Sequence, residues 1–150
     1  YGWIATVSEV EVDRGTCEIA PVETTCVVDA GEVIHPVLAE GQVEGGALQA
    51  LGWAYLEDLP CERGRYLTGH LNAYLIPTSQ DAPKFTVEFV HNPSPDGPYG
   101  AKGLGELPMD AGAPSIASAV ECATGAHPTA IPITGEVLYT LLNEGAGKKP

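Results

Sequence analysis

Hydrophobic and polar residues alternate first with a period of two. Trp3 to Asp13, rich in Val, Ile and Thr, reads as a strand. Asp13-Arg14-Gly15-Thr16 is turn chemistry, with Gly15 expected at positive φ. From Glu18 to Val28 the alternation resumes, with Ala20, Val22, Cys26 and Val28 on one parity. The two runs predict a hairpin that ends at Asp29-Ala30-Gly31, and Pro36 blocks further pairing. The period then changes. Between Ala39 and Asp58, Val43, Ala47, Leu51 and Ala54 recur at helical spacing, joined by Leu48 and Tyr55. Gly45, Gly46 and Gly52 fall inside this helix, each costing ~1 kcal/mol relative to Ala. They predict close approach by a neighbour, either another backbone or a ligand. Phe85, Val87, Phe89 and His91 mark a later strand.

From Asn92 to Pro114 no period is sustained, and Gly and Pro punctuate the run. Structureless loops beyond ~12–15 residues inside a domain are usually functional or disordered. Tyr99, Leu104, Leu107 and Met109 with few charges fit disorder poorly. Ser115 is a candidate cap for a helix with Ile116, Ala119, Val120 and Ala123 on one face and Gly125 as its stop. Thr134 is a candidate cap for another, through Val137, Leu138, Leu141 and Leu142, and a frayed tail is expected from Gly145. With no repeat and no βαβ rhythm, the pattern predicts an α+β fold. It has a mixed sheet, an N-terminal β-hairpin, interspersed helices and one long Gly/Pro-rich loop. Residues 1–150 form one domain.

Composition narrows the function. Twenty acidic and seven basic side chains give a net charge of −13, a poor footprint for nucleic acid or an anionic membrane. No run approaches the ~20 apolar residues of a membrane-spanning helix. No secretory leader opens the chain, and a first residue other than Met suggests a segment of something longer. Cys17, Cys26, Cys61 and Cys122 lack C-x-x-C spacing, which argues against a zinc or iron–sulfur site from this chain alone. Counting leaves two disulfides open, but dispersed thiols favour a reduced compartment. A cytoplasmic location is therefore expected.

Stock phosphate-loop, nucleophile-elbow, zinc-protease and dinucleotide motifs are absent. His35, His70, His91 and His127 show no ligand spacing, so no metal site is assigned to side chains of this chain. Two elements stand out. In Gly100-Ala101-Lys102-Gly103-Leu104-Gly105-Glu106-Leu107-Pro108, closely spaced glycines let the backbone approach a partner. Glu106 lies between Leu104 and Leu107, and apolar surroundings there would raise a carboxyl pKa toward general-base use. A surface glutamate in a glycine-rich turn is the plainer alternative. In Gly41-Gln42-Val43-Glu44-Gly45-Gly46, the Gln42 amide at a helix start offers donor and acceptor to a heterocycle edge, or simply caps the helix.

Taken in order, these segments resemble the C-terminal part of the molybdenum-binding subunit of the xanthine dehydrogenase/aldehyde oxidase family. Asn72-Ala73-Tyr74-Leu75-Ile76-Pro77-Thr78-Ser79-Gln80-Asp81-Ala82-Pro83, Ala113-Pro114-Ser115-Ile116-Ala117 and Ala123-Thr124-Gly125 add to the match, which runs through nearly the whole chain. The resemblance implies that Glu106 is the active-site base beside the molybdenum, taking the proton of a metal-bound hydroxide. It implies that Gln42 hydrogen-bonds the pterin cofactor, and that Gly103 and Gly105 let the loop close over the site. It implies a molybdenum–molybdopterin cofactor shared with other segments of a larger subunit, and iron–sulfur clusters and FAD on partner domains or subunits. The substrate would be a small aldehyde or N-heterocycle. His35, Ser118 and Leu107 depart from the family's usual Asn, Asn and Pro, which leaves the subfamily open. A non-catalytic assembly or orphan module with the same fold is the competing reading.

Overall fold

The computed structural model describes residues 1–146. In chain order the elements are β1 (Trp3–Val12), β2 (Ile19–Asp29), α1 (Pro36–Tyr55), β3 (Cys61–Glu62), β4 (Arg65–Tyr66), β5 (Lys84–Phe89), α2 (Gly112–Thr124) and α3 (Gly135–Ala146). The fold is α+β. β1 and β2 form the antiparallel hairpin, and β5 adds parallel to β2, so the sheet is mixed with order β1-β2-β5. The path β2–α1–β5 is a parallel crossover that the sequence pattern did not announce. The irregular stretch between α1 and β5, holding only the small β3–β4 ribbon, hides it.

The hairpin turn is closed by Asp13, whose Oδ1 accepts from Gly15 N at 2.7 Å and Thr16 N at 2.8 Å. The left-handed residue is consequently Cys17, at φ 59, and not Gly15. Strand parity also departs from expectation. Glu9 faces Glu23 but Val10 faces Pro21, so Val22 bulges out unpaired. Ile19 is buried on one side of the bulge and Thr24, Cys26 and Val28 on the other, while Ala20 and Val22 are exposed.

Helix α1 begins at Pro36, ahead of the expected Ala39. Proline suits a first helical position, where its missing N–H is no loss. His35 caps the helix, its Nδ1 accepting from Leu38 N at 3.3 Å. The helix closes at Tyr55, before the expected Asp58, because Leu56 N and Glu57 N both return to the Gly52 carbonyl. Close approach explains two of its four glycines, Gly41 and Gly45 being open. Gly46 faces Pro108, where a Cβ would lie 2.8 Å from the proline Cβ, and Gly52 abuts Pro77. The neighbours are proline rings from loops, not a sheet backbone. Gly45 is exposed, with nothing within 4 Å of a Cβ built there. Gly45→Ala should therefore stabilise the chain by about 0.5–1 kcal/mol. Gly46→Ala should destabilise it, since Pro108 must shift. Urea unfolding of the two variants beside the parent chain checks the opposite signs.

Two hydrophobic clusters share α1. Leu51 and Ala54 pack with Ile19, Ile116, Val120, Ile133 and Leu138. Val43 and Ala47 pack with Cys26, Val28 and Ala30. Helix α2 starts at Gly112, so Ser115 lies in its first turn and is not the cap. Its hydroxyl contacts the Gly112 carbonyl and Ser8 Oγ, both at 2.8 Å. The buried face of α2 is Gly112, Ile116 and Val120, with Ala123 exposed. Gly125, at φ 77, stops the helix as expected. Thr134 Oγ1 accepts from Val137 N at 3.3 Å, the predicted cap of α3. Helix α3 runs past Gly145 to Ala146, and the rest of the tail expected to fray, 147–150, lies outside the described residues. All four cysteines are unpaired. Among the described residues no helix is long and apolar enough to cross a membrane.

Candidate active site

The loop that leaves β5 at Val90 returns past the C-terminal end of β2. There Ala101 bridges Gly31, Lys102 N donates to the Ala30 carbonyl at 2.8 Å and Glu32 N donates to the Gly100 carbonyl at 2.9 Å. Gly31, at φ 71, meets the Gly100 carbonyl too closely for any side chain. The turn before this seam carries Tyr99 and Gly100 through the left-handed region, at φ 54 and 83.

An ion pair locks the seam. Lys102 Nζ lies 2.8 and 2.7 Å from the two Asp29 carboxylate oxygens, and both side chains are only 12% exposed. Asn92 Nδ2 and Gly31 N also donate to Asp29, at 2.7 and 3.1 Å. The Lys102 hydrogen bonds, followed by that of Asn92, hold the Asp29 carboxyl down at about 2. A carboxyl whose folded pKa lies below its unfolded value, ~3.9, stabilises the fold above that value. That contribution is lost as pH falls toward about 2. The lowered carboxyls of Asp13, Glu23 and Asp81 act with the same sign. The chain should thus lose stability progressively below about pH 4. Asp29→Asn should flatten that slope, as unfolding midpoints recorded across the acid range would show.

Beyond the seam, Leu104 and Leu107 turn inward onto the cluster of Cys26, Val28 and Val43. Gly105 lies between them, and its carbonyl accepts from Gln42 Nε2 at 2.7 Å. Pro108 is buried against Gly46. The structure therefore brings Gln42, Gly105 and Glu106 together from distant parts of the chain. Two expectations change. Gln42 sits in the second turn of α1, not at its start, so its amide grips the loop backbone instead of capping the helix. Glu106 is exposed: the flanking leucines point into the core and leave the carboxylate outside it, without the apolar surroundings expected. A cleft of about 350 Å³ opens here, walled by Gly103, Gly105, Glu106 and Asp110 with Tyr1. A Cβ built on Gly103 or Gly105 meets nothing within 4 Å, so their open faces look into the cleft, while their carbonyls are approached by Gly2 and by Gln42. A larger cavity of about 490 Å³, at the other end of α1 near Tyr55 and Asp81, holds none of these residues.

The donor set suits a cofactor that brings its own metal ligands. Among the described residues no three His, Cys, Asp or Glu side chains converge. The open glycine faces give room for a group laid against the loop, and Gln42 retains an N–H and its carbonyl oxygen for a polar edge. Asp29, Lys102 and Asn92, which lock the loop beside the Glu106 cleft, are the site neighbours that sequence reading passed over. Their signal was present: a carboxylate ending an apolar strand, and the only lysine or arginine between Lys84 and Lys148.

The family model for the molybdopterin cofactor-binding domain matches residues 1–83. The chain belongs to this family, and its relatives are molybdenum subunits of the xanthine dehydrogenase and aldehyde oxidoreductase kind. It is 35% identical over 136 residues to the xanthine dehydrogenase molybdenum-binding subunit of Escherichia coli O157:H7, covering 89% of this chain and 18% of that one. Quinoline 2-oxidoreductase from Pseudomonas putida 86 superposes with a TM-score of 0.84 at 33% identity, over 90% of this chain and 18% of that one. Aldehyde oxidoreductase from Desulfovibrio gigas gives 0.87 at 29% identity, over 95% and 15%. The chain thus spans less than a fifth of the length of these relatives. The family's cofactor is molybdenum–molybdopterin.

Proposed function

We propose that this chain is the base-bearing portion of a larger molybdopterin-binding domain in a molybdenum hydroxylase. The observation that carries the reading is the 2.7 Å bond from Gln42 to the Gly105 carbonyl. It fixes the amide suited to a pterin edge one residue from the carboxylate suited to be the base. Bound molybdenum–molybdopterin would supply the redox centre for hydroxylation with water-derived oxygen. Gln42 would hold the pterin through its remaining N–H and carbonyl. Gly103 and Gly105, lacking side chains, would let the cofactor lie on the loop backbone. Glu106 would take up the proton released during hydroxylation.

Relatives named for xanthine, quinoline and aldehyde support an N-heterocycle or aldehyde substrate. The remaining segments of the molybdenum subunit would complete the cofactor site, and iron–sulfur clusters and FAD on partner subunits would carry electrons away, in the cytoplasm. The test is to isolate the native assembly through this chain and quantify molybdenum and pterin. Near-stoichiometric molybdenum with larger partners is expected. Gln42→Ala should weaken cofactor retention about 5- to 100-fold, the worth of two hydrogen bonds. A metal-free assembly would sink the reading in favour of a non-catalytic module.

A further inference from the structure

Lys102 is the only lysine or arginine between Lys84 and Lys148, yet it is spent on a nearly buried partner. The pair lends stability above about pH 4, but that is not its only effect. It also enforces register. Sliding the loop by one residue would leave the Asp29 carboxylate and an ammonium both buried and unpaired, which is heavily penalised. Around it the contacts converge on one short stretch. Lys102 is held by Asp29 and by its own N–H to Ala30, Gly105 by Gln42, and Pro108 by Gly46. Glu106 lies inside that bracket and makes no hydrogen bond of its own side chain to hold it among the described residues.

We propose that Lys102 and Asp29, with Asn92 as the second donor, form a latch whose role is to position the Glu106 carboxylate. They are positioning residues, acting through the loop and not on the substrate. The proposal rests on the reading of Glu106 as the base, and its test separates the two.

In the assembled, cofactor-loaded complex, Lys102→Met, Asp29→Asn, the Lys102→Met/Asp29→Asn double variant and Glu106→Gln are compared. Each is assayed for kcat, KM, molybdenum and pterin content, and amide exchange over residues 29–32 and 94–107. The latch predicts that Lys102→Met lowers kcat about 10- to 100-fold, as expected for a misplaced catalytic group. KM and cofactor content should stay within twofold. Amide exchange should rise at Lys102 and Glu32, whose N–H groups bond across the seam, and at Ser94, whose N–H bonds Gly100 within the loop. The double variant should be no worse than either single one, because the two residues are one device. It also leaves no orphaned buried charge, so it remains informative if Lys102→Met fails to fold. Lys102→Arg should recover most of the kcat.

Unchanged kcat in the latch variants, with Glu106→Gln inactive, overturns the latch and spares the base. Losses that multiply in the double variant, or that track lost molybdenum, also overturn it, since they mark independent or merely structural roles. Activity retained in Glu106→Gln overturns the base reading instead. A rise in exchange over the seam in Lys102→Met would then leave the latch as an ordering device with no carboxylate to aim.

Discussion

Glu106→Gln is expected to lower kcat of the assembled molybdenum complex by about 10²–10⁴-fold, the usual worth of a general base. The change keeps the side chain's shape and removes its capacity to accept a proton. The Glu106 side chain makes no contact that the fold needs: it is exposed, and its neighbours Leu104, Leu107 and Pro108 do the packing. Folding, molybdenum content and the Gln42 bond to Gly105 should therefore survive, isolating the chemical step. Rates must be compared at matched molybdenum content. A variant within tenfold of the parent would show that the proton goes elsewhere.

The second large effect concerns stability. Leu51→Ala should destabilise the chain by about 2–5 kcal/mol, the range for emptying a fully buried leucine site. Leu51 is 1% exposed, at the point where α1 meets both α2 and the sheet, against Ile116, Val120 and Leu138. Those neighbours belong to different elements, so they are poorly able to close over the space left behind. Domains of this size carry about 5–15 kcal/mol in total. The loss would remove a large share, and a urea titration would register it as a lower midpoint. A change below about 1 kcal/mol would mean that the core around α1 collapses freely.

How much of this was legible in the residues differs between elements. The hairpin, α1, α2 and α3 were visible because each buries one face, and one-sided burial writes a period into the sequence. Element ends were less so. His35 and Pro36 start α1 through a cap whose donor is an imidazole, a poor sequence signal. The parity of β2 was misread because one unpaired residue, Val22, breaks the alternation without changing composition. The crossover to β5 was hidden by irregular chain. At the site, Glu106 and Gln42 were found by spacing and resemblance. What joins them could not be found that way. The Gln42 bond ends on a backbone carbonyl, which no sequence distinguishes, and the Lys102–Asp29 pair spans residues far apart in the chain. The exposure of Glu106 depends on which way two leucines turn, and that is settled only by the packed core.

The bulge at Val22 has a consequence for how the chain tolerates length changes. The half of β2 from Glu23 to Val28 is gripped on both sides, by β1 and by β5, whereas the half around Ile19 is gripped by β1 alone. Deleting Val22 would therefore take out only the residue that pairs with nothing: Val10 would still face Pro21 and Val12 would still face Ile19. The strand would straighten, with Ile19 still in the core and Ala20 still outside it. The bulge is one residue of slack, the place where β2 can lose a codon and leave every other side chain on its own face.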